Sequence, residues 1–194
     1  MIAAIVLAAG QSRRMGQAKM LLPWGSTTVI GQVVQTLAQA GLDEVIVVTG
    51  GSRQGVEDAL HGLPAVTVFN PDYAAGEMLS SLQVGLRALS PQAQAAMIAL
   101  GDQPQMRVEV VQAVLAAYQP GQAGVVAPSV HLRRGHPWLL ARSLWEQALA
   151  LRPPQTLRDL LQANAGQTSY VAVETDSILL DLDTPQDYEK YRPL

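Results

Sequence analysis

Four stretches of this chain are apolar almost from end to end, and each leads into residues with helical spacing. The apolar stretches are 2–7, 44–49, 65–69 and 95–100. The helical ones are 28–40, stopped by Gly41; a short segment near 54–61; 80–89, with Leu82, Leu86 and Leu89 on one side; and 108–118. A strand wetted on one face alternates apolar and polar residues, and these do not. Both faces must therefore be covered, which implies a parallel sheet between two layers of helices. With right-handed crossovers the fold class is α/β: a Rossmann-like three-layer α/β/α sandwich with a mostly parallel central sheet.

The rhythm changes after Gly121. Residues 124–128 read as a strand and 135–141 as another extended piece. Helical segments at 143–151 and 156–164 are split by Pro153-Pro154. Residues 169–173 and 177–182 read as short strands, and a last helix is capped by Thr184-Pro185. No Ser- or Gly-rich linker and no repeat interrupts the 194 residues. The expected organisation is one domain, 1–194, in which 121–194 form a lobe covering a site on the sheet built by 1–120. The net charge of −3 argues against a general nucleic-acid binder. Zero cysteines exclude a disulfide framework and thiolate metal sites, and fit a reducing cytoplasm. The first apolar stretch is too short to span a membrane and lacks the charged flank of a signal peptide, so a cytoplasmic protein is expected.

The first strand runs into a glycine-bounded loop, 10–16, that holds Arg13 and Arg14, with Lys19 just beyond and no acidic residue before Asp43. Glycines let backbone N–H groups approach an anion, and Arg and Lys supply charge, so such a loop suits phosphate. The bland alternative is a glycine turn with solvated arginines. Gly-x-Gly-x-x-Gly is absent after the first strand, and so is the Gly-x4-Gly-Lys-Ser/Thr loop of the P-loop NTPases. Asp102 stands between a buried strand and the proline-stiffened turn at Pro104, well placed for a hard cation bridging phosphates. As a cap for the helix near Arg107 it is too far away.

The pattern Leu7-Ala8-Ala9-Gly10-x-Ser12-x-Arg14-Met15-Gly16-x-x-Lys19-x-Leu21-Leu22-Pro23 resembles the nucleotidyltransferases of the MobA-like group. These join an NTP to a phosphorylated acceptor and release pyrophosphate. The resemblance implies nucleotide binding by Leu7, Ala8, Ala9, Gly10, Ser12, Arg14, Met15, Gly16 and Lys19, with Arg14, Lys19 and Asp102 catalytic. Leu100-Gly101-Asp102-Gln103-Pro104 is similar to the group's Gly-Asp-x-Pro motif, whose aspartate holds Mg²⁺, with Mn²⁺ as a substitute. Asp181-Leu182-Asp183-Thr184-Pro185-Gln186-Asp187 resembles its Asp-x-Asp/Asn-Thr-Pro-Glu-Asp segment, which makes Asp183 a second metal ligand. Asp181, on the same face in a strand, stays open, and Asp187 is structural, near the start of the last helix.

The segment from Gly76 to Ser81 is similar to the one that faces base and ribose. It assigns Ser81 to the nucleotide, with Ser80 the neighbouring choice and simple helix capping the alternative. Thr49 and Asn70 close strands where they can touch the nucleoside. His136, in Gly135-His136-Pro137, falls on the acceptor side in the group; a structural turn is its other reading. His61 reads as solvated, as does His131 beside Arg133 and Arg134 in a surface loop. Three scattered histidines do not make a zinc site. Trp24, Trp138 and Trp145 read as core or pocket wall.

Leu-Ala-Ala-Gly resembles the molybdopterin cytidylyltransferase branch, whereas Leu-Ala-Gly-Gly is typical of the guanylyl branch. The resemblance therefore implies CTP and molybdenum-bound molybdopterin as substrates, molybdopterin cytosine dinucleotide and pyrophosphate as products, and a molybdenum hydroxylase as recipient. The alternatives are GTP with molybdopterin, a sugar or alcohol phosphate acceptor, or a non-catalytic protein that delivers the cofactor. The intact Arg14, Lys19 and Asp102 set argues against the last.

Overall fold

The first half of the chain alternates strand and helix, as the apolar stretches predict. In the computed structural model, which describes residues 1–42, 44–75 and 78–193, β1 (Ile2–Ala8) is followed by a hairpin of two-residue strands, β2 (Pro23–Trp24) and β3 (Thr27–Thr28). Next come α1 (Val29–Gln39), β4 (Val45–Thr49), α2 (Arg53–Ala59), β5 (Val66–Phe69), α3 (Met78–Ala88), β6 (Ala95–Leu100) and α4 (Val108–Ala117). The rest of the chain forms β7 (Val125–Val130), β8 (Arg133–Arg134), β9 (Trp138–Ala141), α5 (Trp145–Ala150), α6 (Leu157–Ala163), β10 (Thr168–Ala172) and α7 (Pro185–Tyr191).

One sheet holds the main strands in the order β10-β7-β9-β6-β1-β4-β5, with β8 paired to β7. β1 lies parallel to both β4 and β6, and β4 to β5. Only β9 and the short β8 run against their neighbours. The two faces of β1 feed two cores. Ala3, Ile5 and Leu7 pack with Leu82 and Leu86 of α3, while Ala4, Val6 and Ala8 pack with Ile30, Val34 and Leu37 of α1. Every one of these residues is buried, which is why the stretches read as continuous apolar runs.

Caps set the helix boundaries. Thr28 accepts the Gly31 N–H with its hydroxyl at 3.1 Å, and Thr156–Asp159 and Thr184–Asp187 form capping boxes on α6 and α7. The three tryptophans are core residues. Among the described residues no helix is long and apolar enough to cross a membrane.

Two expectations are corrected. Residues 177–182 are not a strand: Asp176–Leu179 is a 3₁₀ turn, with the Thr175 hydroxyl accepting the Ser177 N–H. Its backbone bonds to the site loops and not to a sheet edge, since the Ile178 carbonyl accepts the His136 N–H and the Leu182 N–H reaches the Asp102 carbonyl. In the extended piece 135–141 only Trp138–Ala141 joins the sheet, slotted antiparallel between β6 and β7.

Candidate active site

A cleft of about 800 Å³ opens where β1 and β6 end. The chain passes outward from β1 to β4 and β5 and then returns across β1 to β6, so the cleft lies at the point where the strand order reverses. Strand ends diverge there, and the loops that follow them form its walls.

The loop after β1 is braced from below. Ala9 backs onto Gly50, where a Cβ would strike the Ala9 carbonyl, so only glycine permits that approach. Ser12 adopts a φ of 50° and its carbonyl accepts the Met15 N–H at 3.0 Å. Its hydroxyl accepts the Lys19 N–H at 3.2 Å. Met15 is buried with Leu22, Trp24, Leu182 and Tyr188, which pins the middle of the loop to the last helix. Arg13 and Arg14 are left exposed, Arg13 bonded to Gln11 at 2.8 Å.

Lys19 is the hub. Its ammonium donates to Asp102 Oδ2 at 2.5 Å and to Asp183 Oδ1 at 3.4 Å, partners 83 and 164 residues away. The Lys19 and Asp102 side chains are only 12% and 17% exposed, whereas Asp183 is 36% exposed and also meets Arg14 Nη1 at 3.0 Å. Asp102 follows β6, and the Gly101 N–H is bonded to the Leu7 carbonyl at 3.0 Å. Asp183 is presented by the capping box: the Asp187 carboxylate accepts from the Thr184 N–H and hydroxyl at 2.8 and 2.7 Å and from the Asp183 N–H at 3.3 Å. Those Thr184 bonds hold the Asp187 carboxyl below its ordinary pKa. The clip closes at the middle of α7, where the Tyr188 hydroxyl donates to the Pro23 carbonyl at 2.7 Å.

Asp181 sits at the mouth of the same cleft, accepting from Gln103 Nε2 at 2.6 Å. Desolvation by the cleft walls and the charges of Asp102 and Asp183 push its carboxyl above the usual range. Gln103, almost fully buried, went unnoticed in the sequence because a glutamine carries no charge to betray it. Tyr73, packed over Gly50 and Gly51, is another cleft residue that no motif announces.

The remaining expected residues divide. Leu7, Ala9, Gly10 and Ser81 line the cleft, as does His136. Ala8 and Met15 are buried beneath it, and Gly16, with a φ of 70°, turns the loop. Thr49 and Asn70 are fully buried. Asn70 Nδ2 donates to both the Ser80 and Ser81 hydroxyls at 3.0 Å, so it positions the serines from behind. Gly76 and Glu77 of that segment lie outside the described residues. His131 is exposed, as expected, and the neighbouring Arg133 and Arg134 line the cleft. Burial and the nearby Arg134 charge lower the His136 pKa to about 4, so its imidazole is neutral at pH 7.

Asp102 and Asp183 fit a divalent cation by donor chemistry. Their hard oxygens already converge on one ammonium, the kind of two-carboxylate arrangement that Mg²⁺ shares with phosphates and water. Among the described residues no group of three or more His, Cys, Asp or Glu forms a closed cage.

The sequence profile of the MobA-like NTP transferase domain matches residues 4–169. The chain is 29% identical over 185 residues to the molybdenum cofactor cytidylyltransferase of Escherichia coli, covering 95% of this chain and 92% of that one. It is 33% identical over 150 residues to nicotine blue oxidoreductase of Paenarthrobacter nicotinovorans, covering 74% and 72%. The Rv0371c protein of Mycobacterium tuberculosis, solved as a manganese complex, superposes with a TM-score of 0.80 at 29% identity over 97% of this chain and 96% of its own.

Proposed function

The chain belongs to the MobA-like NTP transferase family and is an enzyme of the nucleotidyltransferase class, and from that premise we propose that it transfers CMP from CTP to molybdopterin already carrying molybdenum. Pyrophosphate leaves and molybdopterin cytosine dinucleotide forms, for delivery to a molybdenum hydroxylase. The observation that carries this reading is one lysine ammonium gripped by two carboxylates at the mouth of a cleft that a cationic loop overhangs. The similarity to a cytidylyltransferase over nearly the whole chain supports the choice of substrates.

An oxygen of the acceptor phosphate attacks the α-phosphorus in line, a new P–O bond forms, and the bond to pyrophosphate breaks. The acceptor oxygen is already ionised at neutral pH, so no base has to remove a proton. Backbone N–H groups along residues 9–16 hold the β- and γ-phosphates, and the anchors at Ser12 and Met15 give that loop its shape before substrate arrives. Arg14 and Lys19 turn from the carboxylates to the phosphates and neutralise charge that grows on the leaving group. Asp102 and Asp183 would hold a Mg²⁺ ion, or Mn²⁺ in its place, which would supply further charge neutralisation to the phosphates. Ser81, steadied by Asn70, faces the nucleoside together with Leu7 and Ala9, and Thr49 supports the end of β4 behind them. Residues 1–120 supply the nucleotide side, and 121–194 supply the acceptor side, including His136, together with Asp183.

Pyrophosphate release from each of the four NTPs, with molybdenum-loaded molybdopterin and Mg²⁺, tests the assignment. CTP should give product and GTP little. Equal turnover of both would leave only the broader transferase activity. Cofactor binding without pyrophosphate from any NTP would favour a delivery protein.

A further inference from the structure

Five cationic side chains and three carboxylates line the cleft, and the cations are not equivalent. Arg14 and Lys19 are committed to Asp183 and Asp102, and Arg13 is bonded to Gln11. Arg133 and Arg134 face the same space, exposed, and neither makes an ion pair with any described carboxylate. Of the three cleft cations with no carboxylate partner among the described residues, Arg133 and Arg134 therefore stand together on β8, and Arg13 is bonded to a neutral amide.

Their location matters as much as their charge. In the sheet order β1 and β7 are separated by β6 and β9, so the loop after β1 and the β7–β8 hairpin stand roughly 14 Å apart by strand spacing. Asp102, at the end of β6, lies between them. In-line displacement puts the attacking oxygen on the side of the α-phosphorus opposite the leaving pyrophosphate. If the loop after β1 holds pyrophosphate, the acceptor phosphate has to approach from the hairpin side.

We propose that Arg133 and Arg134 form the subsite that grips the terminal phosphomonoester of the acceptor, a conclusion that rests on the transferase reading above. Guanidinium groups suit this task because their paired N–H donors match phosphate oxygens. The hairpin that carries them is held in place before any ligand arrives. His131 and Leu132 reverse the chain with φ values of 48° and 62°. Gly135 donates to the Pro128 carbonyl at 3.1 Å and packs against the Ile178 carbonyl so closely that a Cβ has no room. His136 then donates its N–H to Ile178 at 3.0 Å. Arg134 and His136 both line the cleft.

The test is a protein carrying Arg133→Gln and Arg134→Gln together. In steady state the KM for the phosphorylated acceptor should rise at least 30-fold while the KM for CTP changes less than threefold, and the double lysine variant should recover part of the loss. A direct measurement runs beside it: inorganic phosphate titrated at fixed ionic strength into protein saturated with CTP, or with whichever nucleotide gives the largest thermal shift. Wild type should bind phosphate, and the double variant at least tenfold more weakly. Unchanged phosphate affinity, no phosphate binding by wild type, or a parallel fall in nucleotide affinity each overturns the proposal. If wild type releases pyrophosphate with no NTP and acceptor pair, the transferase assignment fails, and the phosphate titration still decides the arginines.

Discussion

Replacing Lys19 with methionine keeps an unbranched side chain of nearly the same length and removes the one charge that both carboxylates share. The ammonium is 2.5 Å from Asp102 and 3.4 Å from Asp183. A unit pair at about 4 Å is worth about 4 kcal/mol at an effective dielectric near 20. The contact with Asp183 is worth much less, because that side chain is open to solvent and surface pairs contribute at most about 1 kcal/mol. Two effects of opposite sign follow. Turnover should fall roughly 100- to 1,000-fold, about 2.7–4 kcal/mol, as when one preorganised donor to a developing anion is lost. In the nucleotide-free protein Asp102 no longer holds a competing cation, and Asp183 keeps only the exposed Arg14, so Mn²⁺ should bind at least about tenfold more tightly, a gain of about 1.4 kcal/mol. Pyrophosphate release gives the first quantity and a Mn²⁺ titration followed by electron paramagnetic resonance gives the second. Turnover within tenfold of wild type, with unchanged Mn²⁺ affinity, would refute both the catalytic role of Lys19 and its competition for the carboxylates.

Asp102→Asn should abolish Mg²⁺-dependent turnover and leave the circular dichroism spectrum unchanged; near wild-type rates at saturating Mg²⁺ remove this carboxylate from the mechanism. The methyl group of Ala9 on the cleft wall should crowd a purine, so CTP is expected to exceed GTP by at least about tenfold in kcat/KM, or about 1.4 kcal/mol. Ala9→Gly should narrow that gap without reversing it, as kinetics with the two nucleotides will reveal. His136 titrates near 4 in the folded protein against an ordinary 6.5, so the unfolded chain binds more protons between those values. Stability should therefore rise with pH across that window, by at most about 3 kcal/mol, and His136→Gln should flatten this part of a denaturation-versus-pH curve.

The first half of the fold was legible because covered strands leave an unmistakable mark, and β1, β4 and β6 lie buried where their apolar runs predict. β5 lies where its run predicts too, but as the edge strand it is half exposed rather than covered on both faces. Strand direction leaves no such mark: Trp138–Ala141 is buried on both faces whichever way it runs. Residues 177–182 misled for a related reason. Ile178 is apolar because it walls the cleft and Leu182 because it packs with Met15 and Tyr188, not because either pairs with a strand. Within the site, charged residues flanked by glycine or proline were readable as motifs. Asn70 was not, since a polar residue ending a strand looks the same whether it faces a ligand or, as here, braces two serines from within. In the sequence two consecutive arginines look like an ordinary wet turn; the fold puts Arg133 and Arg134 on the wall of the cleft.

The clip made by Leu182, the Thr184–Asp187 box and Tyr188 sets an order of events. Most of the sheet core can form without it, because β1, β4 and β6 pair with one another and with their own helices. Asp183 joins Lys19 only after residues 164 apart have met, a closure whose entropy is repaid late. A chain that has buried its core but not yet fastened this clip is compact and inert. Catalytic competence is thus a readout of finished folding, and gentle denaturation should silence the enzyme before it melts the sheet.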